Sequence, residues 1–233
     1  MPLAPADYLP LLRQGRWFAS LPAHVQTAFV DAARVCALPA GAQLFARGAP
    51  NDGLYCIVDG AVRLGAVDAD GRETVLGVIE PPQWFGEIAL FDAGPRTHNA
   101  QLHQAGILLH LPLAAVETML SREPLLWRHL GALVVEKVRA LMLGFEQLAS
   151  LPAPARLARR LLAMSEGHGM LAQGHSRRLV AVNQEQLGTM LALSRQSVGE
   201  VLKDFEARAL VKRRYGAIEV LDAAGLARAG EPG

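Results

Sequence analysis

The sequence has little of what holds small secreted or metal-bound folds together. Its only cysteines are Cys36 and Cys56, too few for a disulfide framework or a four-thiolate cluster. Both stand in apolar stretches, RVCAL and LYCIV, and read as buried structural thiols. No uninterrupted apolar run approaches the roughly 18 residues of a membrane span. The opening MPLAPADYLPLLRQGRW has no basic segment ahead of an apolar one, so no secretory leader and no membrane partner are read, and a cytoplasmic location is expected. The seven histidines (His24, His98, His103, His110, His129, His168 and His175) show no metal-ligand spacing, and the segment Trp84 to Ala100 reads as holding no nucleophile-base pair. Neither a metal site nor an enzyme is expected. A haem needs only one axial histidine and would leave no spacing to read.

What the chain does have is apolar content, 51% of 233 residues, enough to bury real cores. The net charge of +1 hides an asymmetry. Residues 1–150 carry 11 Lys/Arg against 14 Asp/Glu, whereas residues 151–233 carry 12 against 8. The C-terminal part is therefore the one expected to meet a polyanion.

From Val35 to about Leu113, short apolar runs (LYCIV, AVRLGAV, TVLGVIE, ILLHL) alternate with Gly, Pro, Asn and Asp, the rhythm of short antiparallel strands closing into a roll. Asp70-Gly71 is a hairpin signal. After Pro112 the period changes. Residues 125–150 contain no proline and place Leu130, Val134, Val138, Leu141, Phe145 and Leu148 at steps of three or four, a helical stripe suited to packing on the roll or on a second copy of the chain. Beyond Leu151-Pro152-Ala153-Pro154 come a helix to about Glu166, an apparent strand pair around Met170 to Val182, and two capped helices, one opened by Asn183 with Gln186 three residues on, the other by Ser194. VKRRYGAIEVLD then reads as strand, Tyr215-Gly216 turn and strand, a wing. The fold class is α+β, with an effector-binding roll at 1–124, a dimerisation helix at 125–150, a hinge at 151–154 and a winged helix-turn-helix at 155–233.

The segment WFGEIALFDAGPRTHNA, Trp84 to Ala100, has a glycine that permits close backbone approach (Gly86), a following helical turn (Ile88, Ala89) with free N–H groups, an acceptor (Glu87), a bidentate cation (Arg96) and a hydroxyl (Thr97). The alternative is a structural turn closed by an internal ion pair. LGTMLALSRQSVGEVLKDFEARALV places Arg195, Gln196, Ser197 and Glu200 where the first turns of a recognition helix meet base edges. Lys203, Lys212, Arg213 and Arg214 are suited to phosphate.

Both segments, in this order, resemble the Crp/Fnr family of transcription regulators, and the resemblance runs from about Leu21 to Val220. It implies a homodimer that binds double-stranded DNA, a small-molecule effector of cyclic-nucleotide type in the roll, and contact with RNA polymerase. By that resemblance Glu87 meets a ribose, and Arg96 and Thr97 a cyclic phosphate. Three departures stand out. Pro82-Gln83 precede the cassette where Gly-Asp is usual, and His98-Asn99 follow it where the family has small apolar residues. Leu141-Met142 occupy the place where members that bind cyclic AMP offer Thr-Ser to the adenine, so base discrimination by hydrogen bonding is not expected. Gln196 and Glu200 also differ from the Glu and Arg of those members, so their operator is not carried over. A nucleotide-binding module without a DNA role and a ligand-independent DNA-binding regulator remain as alternatives.

Overall fold

The computed structural model describes residues 3–67 and 73–231. The chain forms two compact units, Met1–Lys137 and Val138–Gly233.

In the first unit, helices α1 (Leu9–Leu12), α2 (Arg16–Ala19) and α3 (Ala23–Ala32) precede a six-stranded antiparallel sheet: β1 (Arg34–Leu38), β2 (Gln43–Phe45), β3 (Gly53–Val67), β4 (Glu73–Ile79), β5 (Gln83–Phe85) and β6 (Asn99–Pro112). The strand order is β1-β6-β3-β4, with β2 also paired to β6 and β5 to β3. A short helix, α4 (Ile88–Asp92), links β5 to β6, and α5 (Leu113–Arg122) follows. LYCIV and AVRLGAV, separate runs in the sequence, are one strand whose register against β6 shifts between Ile57 and Val62. A bulge of this kind interrupts the apolar alternation without ending the strand. β3 and β4 pair antiparallel, but Asp70-Gly71, the expected turn, lies outside the described residues.

Two cores fill this unit. Inside the roll, Tyr55, Ile57, Val62, Phe85, Leu102 and Leu108 pack together. On its outer face the N-terminal helices close over an aromatic cluster in which Phe18 stacks on Trp84 at 5.7 Å and Trp17 and Phe29 meet Trp84 edge-on. The same core takes in Leu126, Leu130 and Leu133 of the long helix α6 (Leu126–Ser150), and Trp17 donates its indole N–H to the His129 carbonyl at 2.6 Å. Cys56 is buried as expected, but Cys36 is only half-buried. It sits on β1, which has a neighbour on one side alone, β6.

The second unit contains the C-terminal part of α6, then α7 (Ala153–Ser165), β7 (Leu179–Val180), α8 (Gln184–Leu191), α9 (Arg195–Ala207), β8 (Val211–Arg214), β9 (Ala217–Val220) and α10 (Ala223–Ala229). Its core is Leu157, Leu161, Leu187, Val198, Leu202, Phe205, Ile218 and Leu226, all fully buried or nearly so. Of the strand pair anticipated between Met170 and Val182, Leu171 is a single bridge residue and Leu179–Val180 a strand. The strand pairs with β9, and regular pairing goes no further because Gln173 to Arg178 offers no apolar alternation to bury. Among the described residues no helix is long and apolar enough to cross a membrane.

Candidate functional site

The first site lies after β5. Gly86 has φ +92°, and a Cβ there would stand 2.8 Å from Arg96 Nη1, so glycine is needed both for the turn and for the arginine to approach. Glu87 is buried and accepts an ion pair from Lys137 Nζ at 2.5 Å. Arg96 is buried too. Its Nη1 donates to the Gly86 carbonyl at 2.7 Å and its Nη2 to the Gly53 carbonyl at 2.7 Å and to Asp52 Oδ1. The guanidinium lies 4.3 Å from the Phe45 ring centroid, while Nε has no hydrogen-bond partner among the described residues. The other Asp52 oxygen, Oδ2, accepts from the Tyr55 hydroxyl at 2.5 Å. Partial burial opposes ionisation of Asp52, yet the hydrogen bonds from Tyr55 and Arg96 hold its carboxyl below the ordinary range. Burial and the neighbouring Asp52 push the Tyr55 phenol up. Thr97 is exposed, its hydroxyl 3.0 Å from His98 Nδ1. Ile88 is exposed and Ala89 buried on α4.

The structure thus brings Gly86, Glu87 and Arg96 together and adds three residues that the sequence reading missed: Asp52, Tyr55 and Lys137. Lys137 and Asp52 lie 50 and 44 positions from their partners, and no local pattern announces such pairs. Leu141 and Met142 are exposed side chains of the second unit.

The second site is built by α8 and α9. Asn183 Oδ1 accepts from the Gln186 N–H at 2.9 Å while Gln186 Oε1 accepts from the Asn183 N–H at 2.9 Å, a reciprocal capping box. Ser194 Oγ caps α9 through the Ser197 N–H at 3.0 Å. Between them Ala192 takes the left-handed conformation at φ +52°. Gly188 lets the helices cross closely, since a Cβ there would meet the Leu193 carbonyl oxygen at 2.8 Å. Val198, Leu202 and Phe205 point into the core, leaving Arg195, Gln196 and Glu200 on the outer face of the first turns.

Partners divide the polar residues of this surface. Gln196 donates to Glu200 at 3.0 Å. Arg213 is bound to Glu206, and Arg214 to Glu219. Those arginines hold the Glu206 and Glu219 carboxyls below their ordinary range. Arg195, Lys203 and Lys212 are exposed and make no side-chain hydrogen bond or ion pair with the described residues. A cleft of about 290 Å³ opens among Asn183, Gln184, Glu185, Arg195, Arg213 and Arg214. At the wing tip Gly216 has φ +66° and Tyr215 is fully exposed.

A third surface runs along α6. Leu130 does not belong to an outward stripe. It is fully buried in the core of the first unit, because α6 is apolar on two faces and the core claims the one carrying Leu126, Leu130 and Leu133. The outward row keeps Val134, Val138, Leu141, Phe145 and Leu148 and runs back through Gly131 and Trp127 in place of Leu130, at alternating steps of four and three. Val138, Leu141 and Phe145 are 49%, 62% and 66% exposed.

Comparison with known proteins matches residues 35–123 to the family described as "Cyclic nucleotide-binding domain" and residues 155–229 to the "Crp-like helix-turn-helix domain". The chain is 29% identical over 190 residues to the CRP-like cAMP-activated global transcriptional regulator of Mycobacterium tuberculosis, covering 82% of this chain and 85% of that protein. It is 29% identical over 187 residues to the cyclic AMP receptor protein of Thermus thermophilus, covering 80% and 83%. Among solved structures, a transcriptional regulator of the CRP/FNR family from Thermus thermophilus superposes with a TM-score of 0.65 at 25% identity, covering 86% of this chain and all of that one.

Proposed function

The chain belongs to the Crp/Fnr family of transcription regulators, and from that premise we propose how this member works. It is an effector-controlled DNA-binding regulator and not an enzyme. The effector is of cyclic-nucleotide type and is held in the roll by Glu87, Arg96 and Thr97. The regulator acts in the cytoplasm as a homodimer joined along the outward row of α6, with RNA polymerase as a further partner. Sequence is read by Arg195, Gln196, Ser197 and Glu200 from the first turns of α9, with Lys203 and Lys212 on phosphate. Effector binding shifts the two DNA heads through α6 and the hinge at 151–154.

The observation that carries the DNA-binding reading is Arg195, exposed and unpaired among the described residues, one residue after the cap of a helix whose other face is locked into the core. A guanine offers two acceptors to a guanidinium in that position. Mobility shift on genomic fragments tests it. The expected outcome is selective retention of sites whose two halves lie about one helical turn apart, as two-fold symmetry requires. Equal retention of all fragments would refute sequence-specific reading.

A second reading, DNA binding without an effector, is favoured by one observation: Glu87 and Arg96 both have partners within the chain. Titration with cyclic mono- and dinucleotides separates the two.

A further inference from the structure

We propose that Asp52 is a built-in competitor for the cassette arginine: an anionic effector binds by displacing the Asp52 carboxylate from Arg96, and Asp52 thereby sets how tightly the effector is held. The inference rests on the reading of Arg96 as the phosphate ligand, and it names the residue that opposes that role.

The Arg96 side chain is 2% exposed and that of Asp52 is 44% exposed, so within the pair the carboxylate is the member that faces solvent. An anion arriving from solution meets the guanidinium where Asp52 now sits. The remaining partners of Arg96 are neutral, the Gly53 and Gly86 carbonyls at 2.7 Å each, so among the described residues Asp52 supplies the one formal countercharge in its hydrogen-bonding shell. A phosphodiester also carries one negative charge on two free oxygens. The exchange is like for like, and the effector's net gain is the difference between two similar interactions.

Three further details fit an exchange. Arg96 Nε is buried without a hydrogen-bond partner among the described residues, which is costly for a charged donor, so the present arrangement leaves one N–H for an incoming oxygen to satisfy. Asp52, for its part, is steadied independently of Arg96. The Tyr55 hydroxyl holds Oδ2, and His110 Nε2 lies 3.0 Å from the Asp52 carbonyl oxygen. Losing Arg96 therefore leaves the carboxylate with a partner. The Arg96 backbone is fixed on both sides, its N–H to the Ala49 carbonyl and its carbonyl to the Gly48 N–H, each at 2.8 Å. Exchange needs only the side chains to move.

The experiment uses the full chain, freed of co-purified nucleotide, as wild type, Asp52→Asn, Asp52→Ala and Arg96→Ala, titrated calorimetrically with cyclic AMP, cyclic GMP and cyclic di-GMP. For whichever probe binds, both Asp52 variants should tighten it at least about tenfold, or about 1.4 kcal/mol, and Arg96→Ala should lose it. The Asp52 variants should also melt below wild type without the probe and gain more from it, opposite signs that a merely structural role would not give. Asp52 is partly exposed on the loop before β3, so truncation to alanine leaves no cavity in either core. Unchanged or weaker binding by both variants, with Arg96→Ala still defective, would overturn the role of Asp52 and leave the arginine reading intact. Binding equal in wild type and Arg96→Ala, or absent from all four proteins, would overturn the arginine reading and the inference with it.

Discussion

Replacing Val138 and Leu141 together by glutamate separates dimerisation from folding. Both side chains are about half or more exposed, so neither supports the core of its own unit, and a partner helix is what would cover them. Phe145, two-thirds exposed on the same row, would bury about 130 Å² of the roughly 200 Å² that a phenylalanine carries, or about 3 kcal/mol per copy. Val138 and Leu141 scale to about 1 and about 1.5 kcal/mol per copy from the usual value of full burial. Over two copies their truncation removes about 5 kcal/mol, and four unpaired carboxylates in the seam add a desolvation cost of several kcal/mol more. That is comparable to the whole cost of bringing two chains together. Sedimentation velocity should show a dimer for the wild type and a monomer for the double variant, with unchanged circular dichroism. A double variant that remains dimeric at the same concentration would refute the seam.

The hydrogen-bond partners of the basic wing residues lead to a second prediction. Lys212→Ala should lower the slope of log K against log salt by about 0.9, one phosphate contact, while Arg213→Ala, already engaged by Glu206, should leave the slope nearly unchanged; equal losses would show that Arg213 abandons Glu206 for DNA. Gly188→Ala should destabilise the second unit by about 1–3 kcal/mol, since its Cβ would press on the Leu193 carbonyl oxygen; a thermal melt indistinguishable from wild type would contradict the close crossing of α8 and α9. Burial, with Arg160 and Arg177 beside it, lowers the His168 pKa to about 4. The unfolded chain therefore takes up a proton between about pH 6.5 and pH 4 that the native chain refuses, and stability is constant above that window and falls within it, by about 3 kcal/mol at most. His168→Gln should remove that part of the fall in urea unfolding followed from pH 7.5 to pH 4.5; parallel curves for the two proteins would reject it.

The helix-turn-helix was legible because its signals are local. Asn183 and Gln186, and then Ser194, are caps acting over three residues, and Leu187, Leu191, Val198 and Leu202 keep one helical period. The wing was legible from Tyr215-Gly216 between two short runs. Elsewhere the local signal misled or was missing. α6 is apolar on two faces, so its period fitted both Leu130 and the outward row beginning at Trp127, and only packing separates them. Helix α10, with Arg159 Nε donating to the Gly230 carbonyl at 2.6 Å, lies beyond the last segment that the sequence pattern resolved. The bulge in β3 hid the continuity of the longest strand. In the cassette, Glu87 and Arg96 were legible as residue types at a spacing. Their actual partners, Lys137 and Asp52, are set by tertiary structure, and they determine whether those charges are free to hold a ligand.

The central claim is that the exposed first turn of α9 reads base edges, and fluorescence anisotropy of wild type and Arg195→Ala on a selected operator and on scrambled duplex, across a salt series, tests it most directly. The account predicts that Arg195→Ala loses about 1–3 kcal/mol on the operator and much less on scrambled DNA, with the salt slope unchanged on both. Equal losses on the two duplexes, with the slope reduced by about 0.9, would make Arg195 a backbone clamp and contradict it.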